Sequence, residues 1–141
     1  GGLTSKLYKY LREENSLCYT VYSVPNKLDN VLIIQAGIDK DNYEKTVKLI
    51  QKDMNDMCKG KFNDSDISIA REYYLTALEE VLESSDRIID NYSMMELIGT
   101  DTIEKKREMI WKVTKDEIIK VAKKIKLDTV FLLEGVRDER D

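Results

Sequence analysis

The sequence predicts an α+β fold in two layers, with several helices on one face of a small, mostly antiparallel sheet. Most of the chain places apolar residues at helical spacing, and three short apolar runs have the composition of strands. The predicted order is one helix, two strands, four or five helices and one strand. Such grouping of strands and helices is typical of α+β domains rather than of alternating α/β ones.

The chain opens with a helical segment. Its apolar stripe recurs at every fourth position, through Leu3, Leu7 and Leu11. Thr4 or Ser5 is placed to cap the start, because a hydroxyl oxygen can accept hydrogen bonds from the first free N–H groups.

The segment after this helix has the periodicity of a strand. Residues 17–23 alternate between two faces and are rich in aromatic and β-branched side chains, and we expect Pro25 to end this strand. Arg12 then lies in the last helical turn and Tyr19 lies in the strand, seven residues further on. We therefore expect both side chains to face one groove.

The next strand is predicted at residues 31–37, VLIIQAG, with protein on both of its faces. The polar link before it, residues 26–30, is five residues long, which is too short for a parallel crossover. The two strands should therefore form an antiparallel hairpin.

Helical spacing then continues to about residue 125, divided by capping and stop signals. Asp39 or Asp41 is expected to start a helix that Gly60 ends. Asn63 should start the longest helix, with a break or bend at residues 84–86.

Two shorter helices follow. Asp101 with Glu104, and Thr114 with Glu117, have the spacing of reciprocal capping boxes. The contiguous apolar residues in 128–134, DTVFLLE, predict a third strand with little solvent on either face.

Composition excludes several classes of function. The net charge of -4, with dispersed Lys and Arg, argues against nucleic-acid binding, and no apolar run is long enough to predict a membrane span. Two widely spaced cysteines without a secretory signal indicate reduced thiols and a cytoplasmic protein. The absence of histidine removes the commonest zinc ligand and the usual general base, so a self-sufficient hydrolase of the familiar kinds is not expected.

Several segments resemble the pitrilysin (insulinase) family of zinc peptidases, which includes the mitochondrial processing peptidases. These are Gly1-Gly2, residues 5–8 (SKLY), 11–13 (LRE) and 16–19 (SLCY), then Ser23, residues 36–39 (AGID), 42–43 (NY), 113–116 (VTKD) and 127–135 (LDTVFLLEG). The resemblance covers nearly the whole chain, and it is the combination that is specific. It implies a LuxS- and processing-peptidase-like metallohydrolase half-domain spanning residues 1–141, without its first strand and helix.

By this resemblance, the chain is the C-terminal domain of the half that lacks zinc. Zinc is then expected in a partner, either a zinc-bearing peptidase subunit or an N-terminal half, whose motif glutamate is the general base. The chain itself would hold no metal and no catalytic residue of its own. Arg12 and Tyr19 match the family's arginine and tyrosine, which grip a substrate carbonyl and donate toward the oxyanion of the peptide substrate.

Other interpretations remain open. Arg12 can be a helix-end cation and Tyr19 a half-buried strand aromatic, without any function. The whole domain can be a non-catalytic scaffold of the same fold, or a plain α+β interaction module. Cys18 alternates with Tyr19 along the strand, so it should face away from the groove, and no histidine is present to activate its thiol.

Overall fold

The computed structural model describes residues 5–135. Within them, six α-helices accompany a two-stranded antiparallel sheet, which confirms the predicted α+β class. The first helix continues as a π-helical turn at Lys9–Glu13, and a short 3₁₀ turn occupies Lys40–Asn42. The other elements are α1 Lys6–Tyr8, β1 Cys18–Asn26, β2 Val31–Ile38, α2 Tyr43–Cys58, α3 Asp64–Leu82, α4 Ser85–Ile98, α5 Ile103–Lys112 and α6 Lys115–Ala122.

The β1–β2 hairpin has the predicted antiparallel pairing. The Asn26 side-chain oxygen accepts hydrogen bonds from the backbone N–H groups of Leu28 and Asp29, at 3.0 and 3.2 Å, and so closes the turn. Pro25 does not end the strand as expected, since it lies in the ladder opposite Leu32. Among the described residues the sheet has only two strands, so each strand has an open edge where a proline costs no ladder hydrogen bond.

The expected burial of β2 on both faces is wrong. Val31, Leu32 and Ile33 are 45%, 38% and 42% exposed. A strand of apolar residues is buried only where other elements cover it, and these three side chains remain more than a third exposed.

The helix boundaries largely follow the capping signals. Ser5 caps α1, and both Asn63 and Thr114 form the reciprocal capping boxes that start α3 and α6. Gly60 and Gly99 have φ of 70° and 65°. Helices often end in this left-handed conformation, which glycine adopts without the steric penalty of a Cβ.

The start of α5 differs from the prediction. Thr102, rather than Asp101, is the N-cap, and its hydroxyl accepts a hydrogen bond from the Lys105 backbone at 3.2 Å. The Asp101 carboxylate pairs with the Lys105 ammonium at 2.5 Å instead. Asp101 and Thr102 are adjacent, and either side chain can cap the helix. Asp101 is engaged in the ion pair with Lys105, and Thr102 caps.

The predicted strand at residues 128–134 is absent from the described part of the chain. This segment joins no ladder, and Phe131 and Leu133 are 79% and 83% exposed. Its ionic contact with the rest of the described chain joins Glu134 to Lys40 at 2.9 Å. Contiguous apolar residues form a strand only beside a sheet edge that pairs with them, and neither β1 nor β2 does so here.

The core that supports the N-terminal part lies beneath the junction of helix and hairpin. Its buried members are Leu11, Leu17, Cys18 and Val21. Helix α2 packs against this cluster through Leu49 and Ile50. Between residues 5 and 135, no helix combines the length and the apolar character needed to cross a bilayer. Gly1 and Gly2, on which part of the resemblance rests, lie outside the described residues.

Candidate functional site

The helix-to-strand corner, residues 9–19, positions the predicted site. The Glu14 backbone N–H donates to the Lys9 carbonyl at 2.9 Å, which closes the π turn, and the Leu17 N–H donates to the Leu11 carbonyl at 3.0 Å. Ser16 has φ of 51°, an uncommon left-handed conformation for a residue with a side chain. π-helical turns are frequent at functional sites. The corner is therefore an irregular segment held by its own hydrogen bonds.

Tyr19 occupies a bulge in the hairpin. Cys18 pairs with Ile38 and Thr20 with Gly37, so two consecutive partners on β2 face three residues on β1. Tyr19 is the extra residue, and a bulge of this kind redirects a side chain. Tyr19 is 64% exposed, whereas Cys18 is buried on the opposite side, as the alternation predicted. The backbone of Gly37 lies close to the Thr20 side chain. A Cβ at position 37 would lie 3.0 Å from the Thr20 hydroxyl oxygen, so glycine suits this position.

Arg12 and Tyr19 meet at this corner. An Nη1 donor of Arg12 bonds to the backbone carbonyl oxygen of Tyr19, and the guanidinium carbon lies 5.4 Å from the centre of the Tyr8 ring. The arginine therefore holds the strand backbone and stacks on its own helix. A guanidinium carries five N–H donors. Within the described residues the hydrogen bond to Tyr19 uses one of them, so others can serve a ligand. The arginine is exposed, like the tyrosine.

Asp39 belongs to the same site, although from the sequence it was expected only to start a helix and to end the AGID segment of the resemblance. The Tyr19 hydroxyl lies 3.1 and 3.2 Å from its two carboxylate oxygens and donates to this group. The hydrogen bond and the negative charge of Asp39 raise the pKa of Tyr19 above its ordinary value. The hairpin pairing is the signal that could have found this residue, since Asp39 directly follows the partner of Cys18.

The arrangement offers hydrogen-bond donors rather than a complete catalytic centre. Arg12 supplies a permanent cation, and Tyr19 supplies a hydroxyl that keeps its proton. Among residues 5–135, no three Cys, Asp or Glu side chains lie close enough together to hold a metal ion, and the whole sequence contains no histidine. The donor set of the described residues therefore does not fit zinc.

We expect Cys18 to react with iodoacetamide much more slowly than Cys58 in the folded protein. Cys18 is buried and Cys58 is partly exposed. Burial raises the pKa of the Cys18 thiol, and the nearby charge of Arg12 only partly opposes this, so less of the reactive thiolate forms at a given pH. Timed alkylation and mass spectrometry of the two peptides measure both rates, with urea-unfolded protein as the control. Equal rates in the folded state would show that Cys18 does not lie in a closed core.

The chain is similar to known proteins in sequence and in fold. The family model described as the peptidase M16 inactive domain matches residues 1–74, which include Arg12, Tyr19 and Asp39. The chain is 32% identical to the "Probable inactive metalloprotease YmfF" of Bacillus subtilis (strain 168), over 96% of this chain and 32% of that protein. It thus spans about a third of the length of this curated relative.

A solved structure shares the fold. It is described as the crystal structure of a conserved protein from Enterococcus faecalis V583, and it is 26% identical to this chain with a TM-score of 0.78. The match covers 87% of this chain and 29% of that one. These findings confirm the resemblance to the pitrilysin-type peptidases: the chain belongs to the peptidase M16 family and corresponds to its inactive domain.

Proposed function

We propose that this domain binds an extended peptide and completes the active site of a zinc-bearing partner, which is another subunit or another half of the same protein. The observation that carries this proposal is the exposed pair formed by Arg12 and Tyr19 at the bulged corner. Membership of a peptidase family supports a zinc-bearing partner, and the corner offers two donors that such a site can use.

Arg12 suits the role of holding a substrate carbonyl. Its guanidinium is fixed at one end by the Tyr19 carbonyl and on one side by the Tyr8 ring. A donor that is already oriented loses less side-chain freedom on binding than a free one. Its remaining N–H groups can therefore bind a peptide carbonyl without first ordering the side chain.

Tyr19 suits the role of an oxyanion donor. The bulge turns its ring out of the sheet, and its raised pKa keeps the hydroxyl protonated at neutral and mildly alkaline pH. Donors fixed near developing negative charge stabilise a transition state by about 2.7–4 kcal/mol each in a closed, water-free site. On this isolated surface the tyrosine is exposed, so the effect requires a partner domain that covers it.

Peptide hydrolysis by the full-length protein mixed with candidate zinc-bearing subunits tests this function. We expect cleavage only in the mixture, and we expect Arg12→Ala and Tyr19→Phe each to lower kcat/KM at least tenfold, which is about 1.4 kcal/mol or more. The tyrosine variant removes one hydroxyl and leaves the ring, so its effect reports on the donor itself.

Arg87→Ala and Tyr92→Phe on α4 are the matched controls, because both residues are exposed and lie outside the corner. They should leave kcat/KM unchanged. Stable association with zinc-bearing subunits but no cleavage in any mixture would favour the non-catalytic scaffold, a role with which the word "inactive" in the name of the Bacillus relative also agrees.

A further inference from the structure

Within the part of the chain that the structure describes, the Asp39 carboxylate bonds to Tyr19 and makes no other hydrogen bond. It occupies the N-cap position of the 3₁₀ turn, with extended backbone angles of −73° and 146°, yet its side chain makes no capping hydrogen bond. The turn is closed by backbone atoms alone, from the Asn42 N–H to the Asp39 carbonyl at 2.9 Å. Among the described residues, Asp39 also joins no ion pair within 4.0 Å.

The position of Asp39 follows from the hairpin register. Ile38 is the last paired residue of β2 and lies opposite Cys18, so Asp39 comes immediately after the ladder, beside the bulge that carries Tyr19. Both carboxylate oxygens are within hydrogen-bond distance of the hydroxyl, at 3.1 and 3.2 Å. A residue twenty positions along the chain thereby reaches the tip of the tyrosine.

We propose that Asp39 is a positioning residue, whose carboxylate holds the Tyr19 hydroxyl in place until the oxygen of a bound substrate takes over the same hydrogen bond. This proposal rests on the proposed function. A phenol has one proton and can donate it to one acceptor at a time. The hydroxyl must therefore exchange Asp39 for the substrate oxygen, and no covalent bond changes in this exchange.

Exposure favours such an exchange. Tyr19 is 64% exposed, so the contact with Asp39 is open to solvent and competes with water. A hydrogen bond of this kind restricts the ring without locking it. Arg12 acts on the backbone of the same residue, so the two charged groups fix the tyrosine at opposite ends, at its carbonyl and at its hydroxyl.

The first test needs no catalysis. 3-Fluorotyrosine is placed at position 19 of the full-length protein, and its ¹⁹F resonance is followed from neutral to alkaline pH. We expect the apparent pKa of this phenol to fall in Asp39→Ala and, by a smaller amount, in Asp39→Asn. Asp41→Asn is the matched control, since Asp41 lies in the same turn, and it should leave the titration nearly unchanged. An equal apparent pKa in the unsubstituted protein and in Asp39→Ala would overturn the proposal.

The second test uses the cleaving mixture with its zinc-bearing partner. We expect Asp39→Ala to lower kcat about fivefold with little change in KM, and Asp39→Asn, which keeps an acceptor oxygen, to restore most of it. In a Tyr19→Phe background, Asp39→Ala should have no further effect, because a residue that acts through the hydroxyl has nothing left to position. A merely structural role would lower activity equally in both backgrounds.

The outcomes separate this proposal from the proposed function. Cleavage that depends on Tyr19 but not on Asp39 overturns the positioning role and leaves the proposed function intact. Absence of cleavage in every mixture overturns both, even if the ¹⁹F titration shows that the hydrogen bond exists.

Discussion

Leu11→Ala is expected to lower the free energy of unfolding by about 2–5 kcal/mol. Leu11 is 0% exposed, and it lies in the π turn at the centre of the cluster with Leu17, Cys18 and Val21. Truncation removes the transfer free energy of the side chain and leaves a cavity. The π turn and the left-handed Ser16 are irregular, so the surrounding backbone cannot close onto that cavity without losing its own hydrogen bonds.

Urea unfolding, followed by circular dichroism, measures this effect as a lower urea concentration at the unfolding midpoint. The dependence of the free energy of unfolding on urea concentration should stay the same. Leu97→Ala is the control, because Leu97 is 78% exposed on α4 and its truncation should cost less than about 0.5 kcal/mol. A loss below about 1 kcal/mol for Leu11→Ala would show that the corner is loosely packed, and the fixed placement of Arg12 would then lose its physical basis.

The helices could be predicted from sequence because their ends are determined locally. Asn63 and Thr114 each cap a helix through a residue only three positions away, and Gly60 ends α2 through its own backbone conformation. The third strand could not be predicted in this way. Residues 128–134 have strand composition, but a strand also requires an edge elsewhere in the chain, and composition does not say whether that edge is present.

The site was predictable only in part, for the same reason. The helix and strand periods predicted that Arg12 and Tyr19 lie near each other, and the structure brings them together. Their role in substrate binding came from the family resemblance and stays a prediction. The π turn and the bulge were not predicted, because each depends on one unpaired residue within an otherwise regular pattern. Asp39 was interpreted as a helix cap because aspartate before a helix favours capping. Its contact with Tyr19 follows from the register of the hairpin, which periodicity alone does not fix.

Asp53→Ala is the second change with a large expected effect on stability, about 2–3 kcal/mol. Asp53 is 6% exposed on α2, and its carboxylate pairs with the Lys6 ammonium on α1. Removal of the carboxylate takes the paired counter-ion from Lys6 and leaves the Asp56 carboxylate, with which the Lys6 charge also interacts, as an acid near it. The Lys6 side chain is 30% exposed and can turn toward water, which reduces the cost below the 3–5 kcal/mol typical of a fully buried pair.

A double variant distinguishes the charge from the packing. When Lys6→Met is combined with Asp53→Leu, neither charge remains, and we expect the free energy of unfolding to recover most of what Asp53→Ala loses. Asp90→Ala on α4, an exposed aspartate, is the control and should change unfolding by less than about 0.5 kcal/mol. Equal losses for the single and double variants would contradict this account. The pair ties α1 to α2 six residues before Arg12, so the same ion pair that stabilises the fold also fixes the helix that presents the arginine.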